Sequence, residues 1–438
     1  MNEFNALVAA LGGVILCLGL GSKWLAGSPF PPTLVALAVG VVLGPEMFGL
    51  IDLKKLGQES SILEKAARLT IGIGLVGVAL RIPRSYPRRN WREMLVLIGL
   101  GMPLMWAVST MLVYLILDLP FWLAALIGAI LTPTDPVAAS PIVAGDAAEK
   151  NIPERIRHAI SFDSGANDGV SYLFVYLAFL MLTMATGDAL SHWMLHTLLW
   201  EVGMATLFGL VIGYTLGKLL LISERHDAIQ DDWRLIYTAA LALFAVGAGR
   251  LIGSDEVLVV FAAASIFAQV VSASDRKNEE RGQEAVNRFF AIPIFILLGA
   301  ALPWAKWHAL GWKGILLVAA LLLLRRPPVL LLLRPLLPGI RTTPDALFVG
   351  WFGPIAVAAI YYASMMEHKL GSPVIWDVVS LAICGSVLAH GMSGAPLTRF
   401  FGHKAGWRQE ITTKKPPHNP PERPESQKNA HRRKAAES

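Results

Sequence analysis

Charged residues are scarce in this chain. Asp, Glu, Lys and Arg make up 16% of its 438 residues, whereas a soluble domain carries about 25%. Hydrophobic residues make up 54%, and the mean hydropathy is +0.53. Most of the net charge of +6 lies in residues 402–438, which hold nine Lys or Arg against four Glu. The composition excludes a soluble globular protein, and the positive charge does not indicate nucleic-acid binding.

Cysteine is nearly absent, and familiar enzyme motifs are missing. Cys17 and Cys384 both lie in apolar runs, which excludes a disulfide framework and a cysteine metal site. The sequence has no Walker motif, nucleophile elbow or HExxH pattern, so we expect neither an enzyme nor a bound cofactor. The first apolar run lacks the basic start and small-residue cleavage site of a signal peptide, which predicts a retained first span.

What the chain does have is long apolar runs, each near the roughly 20 residues that cross a bilayer as a helix. The sequence therefore predicts an all-α polytopic membrane protein of about thirteen transmembrane helices. The predicted spans are 4–22, 32–50, 66–83, 93–117, 119–144, 156–183, 194–217, 233–250, 256–273, 286–303, 313–333, 345–366 and 375–399. The transmembrane domain is predicted over residues 1–401, and a basic, disordered tail over residues 402–438.

The distribution of Lys and Arg between the connections predicts the orientation. One alternate set of connections holds 18 of these residues and the opposite set holds 8. Positive charge collects on the cytoplasmic side of membrane proteins. We therefore expect the N-terminus outside, the tail in the cytoplasm and the protein in the cell inner membrane.

Two of the predicted spans are interrupted. The fifth contains Thr132-Pro133-Thr134-Asp135-Pro136, and the twelfth contains Gly350-Trp351-Phe352-Gly353-Pro354. Non-helical backbone at membrane depth must be buried in protein or line a cavity. A broken helix in each half is typical of inverted repeats that build a binding site near the midplane. The alternative is a simple proline kink in each helix.

The sixth span carries the most unusual residues for a membrane interior. Asp163 and Asn167 are four residues apart, as are Ser164 and Asp168, so each pair lies on one helix stripe and the two stripes adjoin. A charged side chain at the centre of a membrane helix costs roughly 2.5–3.5 kcal/mol on insertion scales, so such residues are normally functional. One helix can thus direct several oxygen atoms to a single point.

These oxygen atoms predict a site for a hard cation. Carboxylate, hydroxyl and carbonyl oxygens suit alkali ions, and the fifth span can add Thr134 and Asp135. A buried carboxylate binds a proton or a cation in competition, which is sufficient for antiport. The alternative is structural: the aspartates pair with buried arginines, and Arg326 could neutralise Asp163 or Asp135.

The motif Thr132-Pro133-Thr134-Asp135-Pro136, followed about thirty residues later by Asp163 to Gly169, resembles the monovalent cation:proton antiporter family. This family includes bacterial NhaP-type proteins and animal sodium/proton exchangers, and the resemblance covers residues 5 to 400. It implies an elevator-like secondary transporter with two crossed, unwound helices, a homodimer in the membrane and a role in pH homeostasis.

The resemblance also implies roles for individual residues. Asp168 would bind the cation and the proton, with Asn167 beside it, and Asn before this Asp implies electroneutral exchange. Asp163, Ser164 and the Thr134 carbonyl would complete the cation shell. Asp135 is also predicted to bind the cation or the proton, and Thr132 and Arg326 are predicted to support the site.

Two departures from the family pattern concern charge: Asp163 replaces the usual Glu, and Ile355 stands where Arg often follows the Gly-Pro of the twelfth span. Arg326 is expected to supply the missing charge.

Two other functions are compatible with the residues. A cation channel or sensor on the same scaffold would conduct without proton coupling. An intramembrane hydrolase would use Asp135 and Asp168 as an acid pair, although no substrate motif accompanies them. The sequence does not separate Na⁺ from K⁺ or Li⁺, because all three bind oxygen and selectivity depends on cavity size.

Overall fold

The chain is helical throughout the part that the structure describes. This computed structural model describes residues 2–28, 30–271, 276–403, 407 and 410–411, and it assigns no strand within those ranges. Apolar runs without water must satisfy every backbone hydrogen bond internally, which the helix does. The all-α prediction is confirmed.

The helices follow one another with short connections. In the first half they are α1 (Asn2–Leu20), α2 (Ser22–Gly27), α3 (Pro32–Leu43), α4 (Leu53–Leu56), α5 (Glu59–Arg81), α6 (Tyr86–Arg89), α7 (Trp91–Val96), α8 (Met102–Leu117), α9 (Phe121–Ile130), α10 (Pro136–Val143), α11 (Gly145–Asn151) and α12 (Glu154–Thr183). In the second half they are α13 (Thr186–His192), α14 (Ala205–Arg225), α15 (Asp231–Leu251), α16 (Glu256–Val270), α17 (Arg276–Ala300), α18 (Trp304–Leu324), α19 (Pro327–Leu333), α20 (Thr343–Trp351), α21 (Val357–Leu370) and α22 (Pro373–Gly402). π-Helical segments at Leu97–Gly101 and Trp193–Met204 join α7 to α8 and α13 to α14, and a 3₁₀ turn at Arg334–Leu336 follows α19.

Eight helices of the described chain are long and apolar enough to cross a membrane. They are Glu3–Leu20, Trp91–Leu117, Glu154–Thr183, Thr186–Arg225, Trp233–Leu251, Gly282–Ala300, Trp304–Leu336 and Pro373–Gly402. Pro32–Leu43, Phe121–Ile130 and Glu256–Val270 are apolar but shorter. Each of the thirteen predicted stretches contains helix, and the count of thirteen spans stays a prediction. The chain is a multi-pass membrane protein.

Both predicted interruptions are real breaks in helix. α9 ends at Ile130 and α10 begins at Pro136, and α20 ends at Trp351 with α21 beginning at Val357. Proline lacks a backbone N–H, so Pro133, Pro136 and Pro354 cannot continue the helical hydrogen bonding. The extended backbone between these helix ends is buried.

The helices pack as two groups. α8, α9, α10, α12, α18, α19, α20, α21 and α22 form the first group, which contains both breaks. Within it α20 packs mainly on α19, whereas α21 packs most extensively on α5 of the second group. α3, α5, α14, α15, α16 and α17 form the second group. α12 and α21 of the first group lie against α5 and α16 of the second. The breaks are therefore enclosed between the two groups.

Residues of the predicted tail contact the helical domain. The side chain of Trp407 is 4% exposed, and its indole N–H donates to Asp345 Oδ1 at 2.7 Å. Glu410 forms an ion pair with Arg155 at 3.0 Å. Residues 404–406, 408–409 and 412–438 of the predicted disordered tail lie outside the described residues.

Glycine permits a close helix contact in the second group, between α3 and α17. A Cβ atom at Gly40 would lie 2.1 Å from the carbonyl oxygen of Ile296, whereas one at Gly13 would have nothing within 4 Å.

We expect Gly40→Ala to force the helices apart and lower stability by about 1–3 kcal/mol. Thermal unfolding of the purified protein measures this. Gly13→Ala is the matched control and should be neutral or slightly stabilising; equal melting temperatures for the two variants would contradict the packing argument.

Candidate cation site

The two helix breaks meet at Asp135. Its backbone N–H donates to the carbonyl of Pro354 at 2.8 Å. Its Oδ1 accepts from the N–H of Ala138 at 2.7 Å, and its Oδ2 accepts from the N–H of Val357 at 2.5 Å. Helix N-termini carry partial positive charge and unsatisfied N–H groups. One carboxylate thus caps the start of α10 and of α21.

Arg325 occupies the complementary position at the opposite helix ends. Its guanidinium donates to the carbonyls of Leu131, Thr132 and Pro133 at 2.5, 3.0 and 3.3 Å. It also donates to the carbonyl of Gly353. Carbonyls at helix C-termini carry partial negative charge, so the buried cation satisfies oxygens that both breaks leave without helical partners.

Asn167 joins α12 to the first break. Its Oδ1 accepts from the backbone N–H of Thr134 at 3.0 Å, and its Nδ2 donates to Thr134 Oγ1 at 2.8 Å. A buried amide with both functions satisfied fixes its neighbours in register. This contact holds the middle of α12 against the extended segment at Thr134.

Arg326 forms a buried ion pair with Asp163, with 2.7 Å between Nη1 and Oδ2. The two side chains are 2% and 1% exposed. Arg326 also donates to Thr134 Oγ1 at 3.3 Å and to the carbonyl of Val349 at 3.1 Å. The absence of a side chain at Gly353 makes this possible, because a Cβ there would lie 2.4 Å from Arg326 Cδ. Asp163 is one of the two partners that the sequence suggested for Arg326.

Asp168 differs from its neighbours because its charge has no protein counterion in the described chain. It is fully buried, and neither carboxylate oxygen has a hydrogen-bond partner among the described residues. Its backbone carbonyl accepts from the hydroxyl of Tyr362 at 2.6 Å, which holds α12 against α21. A buried carboxylate in this state requires a proton or a cation.

The structure thus brings most of the predicted residues to one place. Asn167 contacts Thr134 of the first break, Asp163 and Thr134 both contact Arg326, and Asp168 follows Asn167 in α12. Asp135 uses both oxygens to accept backbone N–H groups, so it supports the backbone more than it offers free ligands.

Two predicted hydroxyl groups use their hydrogens within their own helices. Ser164 donates to the carbonyl of Ser161 at 3.2 Å, and Thr132 donates to the carbonyl of Gly128 at 2.7 Å.

Several residues that contribute to the site were not predicted from the sequence. No role was predicted for Arg325, although two adjacent arginines in one apolar run indicate that each needs a partner. Tyr362 carried no signal, because a tyrosine in an apolar helix is ordinary. Ser386 accepts from the N–H of Ile355 at 2.7 Å, and serine spacing along α22 did not predict this contact with the second break.

Comparison with known proteins gives a family match across most of the chain. The family model described as "Sodium/hydrogen exchanger, transmembrane" matches residues 7–400. A Na(+)/H(+) antiporter of Saccharomyces cerevisiae is 30% identical over 396 residues, which is 83% of this chain and 40% of that protein. Na(+)/H(+) antiporter 2 of Zygosaccharomyces rouxii is 29% identical over 394 residues, covering 83% of this chain and 49% of that protein. The chain spans about half the length or less of these two relatives.

A solved structure has the same fold. The sodium proton antiporter MjNhaP1 from Methanocaldococcus jannaschii superposes with a TM-score of 0.70 at 17% sequence identity, covering 92% of this chain and 100% of that one. At this identity the likeness concerns the fold.

The buried pair of Arg326 and Asp163 generates a stability prediction. Arg326→Gln leaves Asp163 buried without its partner, so we expect a loss of about 3–5 kcal/mol. The double variant Arg326→Gln/Asp163→Asn removes both charges and should lose clearly less. Thermal unfolding of the purified variants measures both. Arg341→Gln, which removes an exposed arginine 3.8 Å from Glu410, is the control and should change stability by less than about 1 kcal/mol; equal losses in the single and double variants would mean that the two charges are not coupled.

Proposed function

The chain belongs to the family of transmembrane sodium/hydrogen exchangers, and on that premise we propose that it exchanges a monovalent cation for protons at Asp168. The observation that carries the proposal is the full burial of Asp168 without a hydrogen-bond partner for either carboxylate oxygen among the described residues. A positive charge that can leave must balance this carboxylate. An alkali ion and a proton are alternatives for that role.

The fixed charges around Asp168 support exchange. Arg326 forms an ion pair with Asp163, and Arg325 donates hydrogen bonds to backbone carbonyls. Neither arginine is therefore a permanent counterion for Asp168. One exchangeable carboxylate binds one cation or one proton, so the occupied site has the same charge in both cases. This favours electroneutral exchange of one proton for one Na⁺, K⁺ or Li⁺.

Oxygen ligands for the cation are available on α12 and at the first break. The carboxylate of Asp168, the lone pairs of Ser164 Oγ and the Thr134 carbonyl are the expected first ligands, with Asp163 and Asn167 beside them. Carboxylate, hydroxyl and carbonyl oxygens suit alkali ions. The ion is the transported substrate, and we expect no cofactor and no enzymatic reaction.

A cavity on one side of the protein reaches the two residues that follow Asp135. It has a volume of 470 Å³ and extends between α1, α3, α10 and α17 to Pro136 and Val137, beside Asp135. Ser140 and Glu284 line it and are hydrogen-bonded to each other at 2.5 Å. The distribution of Lys and Arg predicts that this side faces the cytoplasm, so we expect the cavity to be the inward approach to the site.

The finer architecture forms part of the same proposal. We expect thirteen spans arranged as inverted repeats with two crossing broken helices, an outer N-terminus and a cytoplasmic tail after residue 401. We also expect a homodimer in the cell inner membrane that contributes to pH homeostasis. The two packing groups of helices support movement of the group containing Asp168 against the other, because a fully buried site must become accessible from both sides.

The decisive variant is Asp168→Asn, which keeps the side-chain size and removes the exchangeable charge. In everted vesicles, Na⁺, Li⁺ or K⁺ should collapse a preformed pH gradient with the wild-type protein, and the variant should fall to the background rate at unchanged expression. Asp188→Asn, at an exposed position, is the matched control and should exchange normally. Retained exchange in Asp168→Asn would refute the assignment of the site, and cation current without proton flux in the wild type would indicate a channel.

A further inference from the structure

A second group of buried acids lies beyond Asp168, on the side away from the inward cavity. Asp255 is the residue immediately before α16, and Glu201 lies in the π-helix Trp193–Met204. The N–H of Asp255 donates to the carbonyl of Glu201 at 3.0 Å, which fixes the two residues side by side. They are 0% and 9% exposed. π-Helical segments are frequent at functional sites because they reposition side chains.

The two carboxylates are incompletely satisfied. Asp255 Oδ1 accepts from the N–H of Val257 at 3.0 Å and caps α16, whereas Oδ2 has no partner among the described residues. Glu201 Oε1 lies 3.6 Å from His196 Nδ1, and Oε2 likewise has no partner in the described chain. Two adjacent buried carboxylates repel each other unless a positive charge lies between them.

The nearby arginines do not supply that charge, because they lie against Glu256, the residue that follows Asp255. Glu256 Oε1 accepts from the hydroxyl of Tyr361 at 2.8 Å and lies 3.5 Å from Arg250 and 3.8 Å from Arg68. Consecutive acids thus have different surroundings: Glu256 is neutralised by two arginines, and Asp255 is not paired with a basic side chain in the described chain. Glu256 and its arginines lie at the end of the helices that is predicted to face outward.

Two buried hydroxyl groups lie on the helices that carry Glu201 and Asp168. Thr197 lies one helical turn before Glu201, and Ser171 lies three residues after Asp168 on the same face of α12. Both are 0% exposed, and neither hydroxyl has a partner among the described residues. α12 packs directly on the π-helix and on α16. Buried oxygen atoms without partners among the described residues therefore lie both on α12 and on the π-helix that packs against it.

We propose that Asp255 and Glu201, with the Thr197 hydroxyl, form a second binding site for a monovalent cation, between Asp168 and the outer face. The inference rests on the proposed function, because the second site would bind the transported cation at another position on its path to the outer face. Carboxylate and hydroxyl oxygens without a permanent counterion are the ligand set that an alkali ion requires.

Equilibrium binding of radiolabelled Na⁺ to the purified full-length chain at alkaline pH tests the second site, with Rb⁺ standing in for K⁺ in parallel. The wild type should bind two cations per chain. Asp168→Asn and Asp255→Asn should each bind one, and the double variant none. Asn is as good an N-cap as Asp, so Asp255→Asn preserves the cap of α16 while removing the charge. Glu201→Gln is the second variant and should also reduce binding by one cation.

Transport in oriented liposomes gives an independent readout. Asp255→Asn should raise the apparent KM for cation presented at the outer face by about tenfold, since a lost charged ligand is worth about one factor of ten or more. The apparent KM from the inner face should stay unchanged, which a purely structural defect would not produce. Asp188→Asn, an exposed acid at the start of α13, should match the wild type in both assays.

The two proposals fail in different ways. One bound cation per wild-type chain, lost in Asp168→Asn and retained in both Asp255→Asn and Glu201→Gln, would overturn the second site and leave the exchange function intact. Two bound cations without cation-driven proton flux would remove the exchange function and leave the second site as a binding site.

Discussion

Four buried helix ends at one point in the membrane are the constraint on which the structure depends. Each end brings backbone groups that lipid cannot satisfy. The N-terminal ends of α10 and α21 are neutralised by Asp135, and the C-terminal ends of α9 and α20 by Arg325. Opposite charges on opposite helix ends make the non-helical backbone tolerable at this depth. Loss of either side chain would leave several backbone groups buried without partners.

This arrangement determines which of the three buried carboxylates is left to bind an exchangeable cation or proton. Asp135 is used by backbone N–H groups, and Asp163 is paired with Arg326. Asp168 is left without a counterion in the described chain, although it shares a helix with Asp163 and lies within electrostatic reach of Asp135. Three carboxylates of similar burial thus have different roles, which follow from their neighbours and not from residue type.

The sequence predicted the features that depend on local chemistry. Prolines located both helix breaks, and the four-residue spacing along α12 identified a common polar stripe. The partners of these residues were harder to predict because they come from distant parts of the chain. Arg325 reaches carbonyls almost 200 residues away, at Leu131 and Thr132. Tyr362 and Ser386 contribute through helix packing that no periodicity encodes. The thirteen spans, the inverted repeat and the homodimer stay predictions.

The contact between Trp407 and Asp345 links the end of the described chain to α20, one of the two helices interrupted at the cation site. Asp345 also pairs with Arg155 at 2.9 Å, near the start of α12. A protein shortened to residue 401 would lose the indole that covers this acid, whereas one ending after residue 411 would keep it. The useful boundary for a minimal expressed domain therefore lies after residue 411, twelve residues beyond the end of the last predicted span, and an affinity tag belongs after it.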